Sequence, residues 1–299
     1  AAQPGGRVPV LGGFRSSVAG AARGESPTAS SPQAAASGLR SEWLVQSLEL
    51  LAAASFFATL VAGFAVGGRL LWLTRETHRA AEFFLGIGVT ALSLAALIEV
   101  VAMELARSGD AAAAFPMEVA ALFLHSASAS SLCFGIWRVF HPDRRWAFYL
   151  CAVTSALLFD SWMAVILPGQ HTSSAGFTNW FHLHVASRAF ASSWGAIAAL
   201  LHHRRLRRQR ALGLVDRFTC HRFALWGFAL ACTAAMLVVA LVTNLWMGVL
   251  VFAWSPASLC VGVLGLLGSW ALWFAFLPPH SYRRLFEASP EVAASDGLA

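Results

Sequence analysis

From Glu49 to Leu277 the chain is a succession of long apolar stretches joined by short connections, and runs of hydrocarbon length constrain a fold more than any other sequence feature. They are placed at Glu49–Leu73, Phe83–Leu105, Phe115–Phe140, Trp146–Leu167, Phe181–Leu201, Phe223–Leu245 and Ala257–Leu277. Each reaches the ~20 residues a helix needs to cross about 30 Å of hydrocarbon at 1.5 Å per residue. Lipid offers no hydrogen bonds to the backbone, so such segments must satisfy themselves as helices. The expected fold is all-α: a polytopic membrane protein, a bundle of seven transmembrane helices. The VLVFAW run at Val249 either prolongs span six or forms an interfacial piece.

Composition agrees. Charged residues make up 12% of the chain against 58% hydrophobic, with a mean hydropathy of +0.63. Soluble domains carry about 25% charged residues. The chain contains no Lys, so all 21 basic residues are Arg, and a Schiff-base pigment on a helix lysine is excluded.

The arginines alternate between connections. Arg69, Arg75 and Arg79 follow span one, Arg138, Arg144 and Arg145 follow span three, HHRRLRRQR with Arg217 and Arg222 follows span five, and Arg283 and Arg284 follow span seven. The second loop balances Arg107 against Glu104 and Asp110, and the fourth and sixth carry no Arg. The positive-inside rule therefore places the N-terminus outside and the C-terminus in the cytoplasm. Trp residues and prolines such as Pro116, Pro168 and Pro256 near the span ends fit interfacial boundaries. Residues 1–42, rich in Gly, Pro, Ser and Ala, are expected to be a flexible extracytoplasmic tail. Residues 43–281 form the transmembrane domain and 282–299 a short cytoplasmic tail. The Ala- and Arg-rich, Lys-free composition points to a bacterial plasma membrane.

A net charge of +6 and a pI near 9.7 would suggest nucleic acid in a soluble protein, but here the charge is loop charge and no nucleic-acid partner is expected. Arg204, Arg205, Arg207, Arg208 and Arg210 exceed what orientation needs, and anionic membrane lipids or an acidic partner protein are the expected contacts. The five cysteines form no CxxC pattern and read as packing residues. Gly63 and Gly67 form a GxxxG, and Gly262, Gly265 and Gly268 line span seven. Both sets suit close helix packing within the bundle, with a homo-oligomeric contact as the alternative.

Ionisable groups in hydrocarbon are costly, so those that persist there carry the functional signal. They gather in the outer half: Glu99 and Glu104 in span two, Glu118 and His125 in span three, Asp160 in span four, His182, His184 and Arg188 in span five, and Thr243 and Asn244 in span six. Helix rise puts His125, Asp160 and Arg188 about 12–14 Å below the outer boundary, in one layer. His184 and Arg188, four residues apart, share a face. The candidate ligand or proton site is Glu99, His125, Asp160, His184, Arg188 and Asn244.

The reading this set favours is a membrane sensor or receptor-like protein. It would bind a small polar ligand or a proton in an outward-facing pocket between helices two to five and signal to a separate cytoplasmic partner. Histidine beside carboxylate changes charge near neutral pH, and Arg188 offers a fork for carboxylate or phosphate. Three alternatives stay open: a proton, ion or small-solute transporter, an intramembrane metal or haem enzyme, and a structural subunit of a larger membrane complex. Enzymatic chemistry ranks below binding, because a zinc hydrolase of the seven-span type would need His-x3-His in its last span and SLCVGVLGLLGSWALWFAF has no His. No cofactor is assigned.

Overall fold

The computed structural model describes residues 32–167, 179–248 and 255–287. The chain forms two units, residues 1–46 and 47–299, and the bundle belongs to the second. The helices are α1 (Pro32–Thr77), α2 (Ala80–Arg107), α3 (Ala111–Phe140), α4 (Arg145–Ile166), α5 (Asn179–Ala211), α6 (Arg217–Met247), α7 (Ser255–Phe276) and the short α8 (His280–Glu287). The protein is an all-α, multi-span membrane protein. Among the described residues six helices are long and apolar enough to cross a bilayer: α1 from Ala53, α2, α3, α4 to Ala164, α6, and α7 from Pro256.

The helix ends follow local chemistry. Asp110 caps α3 by accepting from the Ala113 N–H at 3.0 Å, so the helix starts at Ala111 and Pro116 lies inside it rather than at its edge. Asp216 caps α6 in the same way, through the Thr219 N–H and hydroxyl. At its other end Gly248 takes the left-handed conformation, φ 62°, and returns its N–H to the Asn244 carbonyl. Pro256 opens α7 one residue after Ser255, where a missing N–H costs nothing, and Pro278 and Pro279 follow its last residue. The Arg222 Nε donates to the Ala275 carbonyl at 2.8 Å, which satisfies one of the orphan acceptors at the end of α7.

One expectation is corrected at the end of an element. The basic run His202–Arg210 is the last three turns of α5 rather than a loop. At 33 residues α5 is about 50 Å long, more than hydrocarbon requires, so the arginines ride on a helical projection. At the start of the chain, α1 already runs from Pro32, inside the segment expected as a tail. The rest of that segment, the loop at 168–178, the VLVFAW run and residues 288–299 lie outside the described residues.

α5 packs on α3, α4 and α6, while α3 also meets α2 and α4, and α6 meets α7. Side chains close the ring, with the Ser55 hydroxyl of α1 donating to the Gly262 carbonyl of α7 at 2.5 Å and Thr59 hydrogen-bonded to Ser269 at 2.8 Å. One core joins Val66 and Leu70 to Leu85, Ala196, Ala199, Trp226 and Leu230. A second joins Cys133, Cys151, Leu158 and Ala191 across α3, α4 and α5. Small residues permit this proximity: the Ser128 hydroxyl of α3 donates to the Gly88 carbonyl of α2 at 2.7 Å, and a Cβ at position 88 would meet the Ser128 carbonyl at a tight 3.2 Å.

Candidate functional site

The inward face of α4 repeats every three to four residues: Ala147, Cys151, Thr154, Leu158 and Ser161 are all buried. Asp160 is one residue off that stripe. A step of about 100° per residue turns it away, and it is exposed on the outer side of the bundle. The expected convergence of Asp160 with His125 and Arg188 is therefore not formed, and among the described residues Asp160 makes no ion pair with Arg188. Its place is taken by Ser161, which is uncharged and fully buried. The apolar-and-small period on α4 is the signal that identifies it.

On α3 and α5 the expected residues do face inward. His125 is 6% exposed and His184 1%. The His125 Nε2 lies 3.2 Å from the Glu99 Oε2 and so links α3 to α2. The Glu99 side chain is itself 52% exposed, reaching inward from the outer surface of α2. The His184 Nδ1 lies 3.3 Å from the Ser161 Oγ, which links α5 to α4. Arg188, one turn along α5 and half-buried, interacts electrostatically with Glu99, His125 and His184. Four helices thus contribute to one group.

The hydrogen bonds assign the protons. A neutral imidazole donates through one nitrogen and accepts through the other. The His125 Nε2 faces a carboxylate oxygen, which only accepts, so it carries the hydrogen and Nδ1 bears the lone pair. The Ser161 hydroxyl has one hydrogen and donates it to the Leu158 carbonyl at 2.9 Å. It therefore accepts from the His184 Nδ1–H, and the His184 Nε2 bears the lone pair. Both of these nitrogens, the His125 Nδ1 and the His184 Nε2, are buried without a hydrogen-bond partner among the described residues. Unpaired buried polar atoms are uncommon and cost about 1–3 kcal/mol each. Two such acceptors lie in one group with a guanidinium and a carboxylate, an arrangement that suits a proton, or a molecule with N–H or O–H donors and an anionic end.

Asn244 is buried near the end of α6 with its Oδ1 unpartnered, but no hydrogen bond joins it to the histidine group among the described residues. Glu104 is exposed and pairs with Arg107 at 3.6 Å on the surface of α2. No cluster of three or more His, Cys, Asp or Glu suited to a metal ion forms among the described residues. No protein-family model matches the chain, and neither curated proteins nor solved structures offer a similar one.

Proposed function

We propose that this protein is a membrane sensor of receptor type, with seven spans, the N-terminus outside and the C-terminus in the cytoplasm. A small polar ligand or a proton binds between α2, α3, α4 and α5 and shifts the helices that carry the basic cytoplasmic ends. The observation that supports this reading is the pair of buried, unpartnered ring nitrogens on His125 and His184 beside Arg188. A purely structural polar group would be expected to close its own hydrogen bonds, since each open one in hydrocarbon destabilises the fold.

The seventh span in this reading is α5, which falls short on apolarity because it carries the buried His184, Ser187 and Ser192 and the half-buried Arg188. A site built into a helix lowers that helix's hydropathy, and burial against α3, α4 and α6 shields the polar face from lipid. Cysteines introduced singly at Gly109 and Gly213 should then react with an impermeant maleimide from opposite sides of sealed vesicles. Labelling of both from one side would overturn the seven-span arrangement.

Binding is tested by thermal unfolding of the purified protein in lipid nanodiscs, across pH 5–8 and against a panel of small carboxylates and phosphates. A ligand at a hundred times its Kd stabilises by about 2.7 kcal/mol, a readily visible shift. The wild type should respond to pH or to at least one anion, and the His125→Gln/His184→Gln variant should not. No response in the wild type, or an equal response in both, would sink the proposal.

A further inference from the structure

At the C-terminal end of α3, the α3–α4 connection borders a cleft of about 320 Å³. Its polar lining is Arg144 and Arg145 against the one carboxylate of Asp143, and its apolar lining is Trp137, Phe148 and Tyr149, with Pro142 at the turn. The residues divide by position. Arg144 and Arg145 open α4, whereas Phe148 and Tyr149 stand one turn further into the apolar stretch and are 42% and 64% exposed. A cationic mouth therefore continues into an aromatic wall on the surface that meets lipid.

The surroundings add positive charge. Arg138 lies 4.5 Å over the Trp137 ring. His141 stacks on Trp194 with the rings 3° from parallel, and burial first, then Arg205 and Arg144, holds its imidazole below the usual histidine range. No side chain caps the first turn of α4, where a helix terminus favours an anion. Arginine pairs bind phosphate through planar, two-pronged hydrogen bonding, and aromatic rings at headgroup depth pack along glycerol and the first methylenes.

We propose that this cleft is a binding site for the phosphate headgroup of an anionic phospholipid. Arg144 and Arg145 hold the phosphate, and Trp137, Phe148 and Tyr149 hold the upper part of an acyl chain. The shared chemistry is a phosphate oxyanion, and the aromatic wall assigns it to a lipid rather than to free phosphate. The site is separate from the histidine group and does not depend on what that group binds.

Native mass spectrometry of the full chain, released from vesicles of phosphatidylglycerol and phosphatidylcholine, tests the assignment. The wild type should retain phosphatidylglycerol in preference to phosphatidylcholine, and Arg144→Gln/Arg145→Gln should lose the preference by about fivefold for each charge removed. Arg208→Gln/Arg210→Gln removes the same charge from the α5 projection and should keep the retained lipid. Tyr149→Ser, with both arginines intact, should weaken lipid retention without changing adducts formed with inorganic phosphate. Equal loss in the two arginine double variants would show nonspecific charge and overturn the site. Retention unchanged in Arg144→Gln/Arg145→Gln, or phosphate adducts that form as readily as lipid adducts and displace them, would overturn it as well.

Discussion

The His184 Nδ1 sits 3.3 Å from the Ser161 Oγ, and because that hydroxyl already donates to the Leu158 carbonyl, the contact fixes which imidazole nitrogen carries hydrogen. Ser161→Ala should remove the restraint on the ring and the link between α4 and α5. Interhelical hydrogen bonds of this kind in membranes contribute about 0.6 to 1.7 kcal/mol. Unfolding of the variant in mixed micelles should show a loss in that range, together with a weakened pH or anion response in nanodiscs. A stability loss with the response intact would mean that Ser161 packs the helices without setting the His184 tautomer.

Glu99 and His125 should couple only modestly. Their 3.2 Å contact is an interhelical hydrogen bond between α2 and α3, and such bonds within membranes contribute about 0.6 to 1.7 kcal/mol. A double-mutant cycle with Glu99→Gln and His125→Gln measures the term directly. Coupling of several kcal/mol would mean that α2 covers the pair far more completely than its exposure indicates.

The α1–α2 contact makes a sharper pair of expectations. A Cβ on Gly67 would sit 3.0 Å from the Thr90 backbone N and 3.2 Å from the Gly86 carbonyl, so the clash includes backbone that cannot rotate away. A Cβ on Gly68 meets nothing within 4 Å. Gly67→Ala should destabilise by about 1–3 kcal/mol through overpacking, whereas Gly68→Ala should be neutral or stabilising by up to about 1 kcal/mol through helix propensity. Equal melting temperatures for the two would show that α1 and α2 do not hold this spacing in the bilayer.

How far the sequence could be read depended on which physical property carried the information. Long apolar runs exposed most helices, since the requirement that lipid imposes on the backbone is independent of neighbours. Five arginines in seven residues read as a loop, yet arginine is a good helix former and nothing at His202–Arg210 stops α5. Among the candidate residues, His125, His184 and Arg188 stand out from cost alone, as ionisable groups within long apolar stretches. Asp160 and Ser161 show the limit of that reasoning. Depth along a helix is linear in residue number, but facing turns by about 100° per residue, and only the period of Ala147, Cys151, Thr154 and Leu158 tells the two apart. The unpartnered nitrogens had no sequence signature at all, because they depend on where Ser161 and Glu99 lie relative to each ring.

Asp216 provides a pH test at a residue outside the membrane-spanning helices. Burial alone would raise its carboxyl, but hydrogen bonds from the Thr219 hydroxyl, the Thr219 and Phe218 backbone and its own N–H outweigh that and hold it below the ordinary aspartate range. A depressed folded-state pKa means that the charged cap stabilises the native form at every pH above the unfolded value of about 3.9. The stabilisation is lost as pH falls below that value and through the folded one. Asp216→Ala should cost about 1 kcal/mol near neutral pH and approach wild type in strong acid. Asp216→Asn keeps an acceptor at the start of α6 without the titration, so its own cap contribution should not vary in the same window. Chemical denaturation of the three proteins between pH 3 and 7 separates these cases. A wild-type minus Asn difference that stays constant across the range would mean that the cap acts through geometry, with the charge contributing nothing.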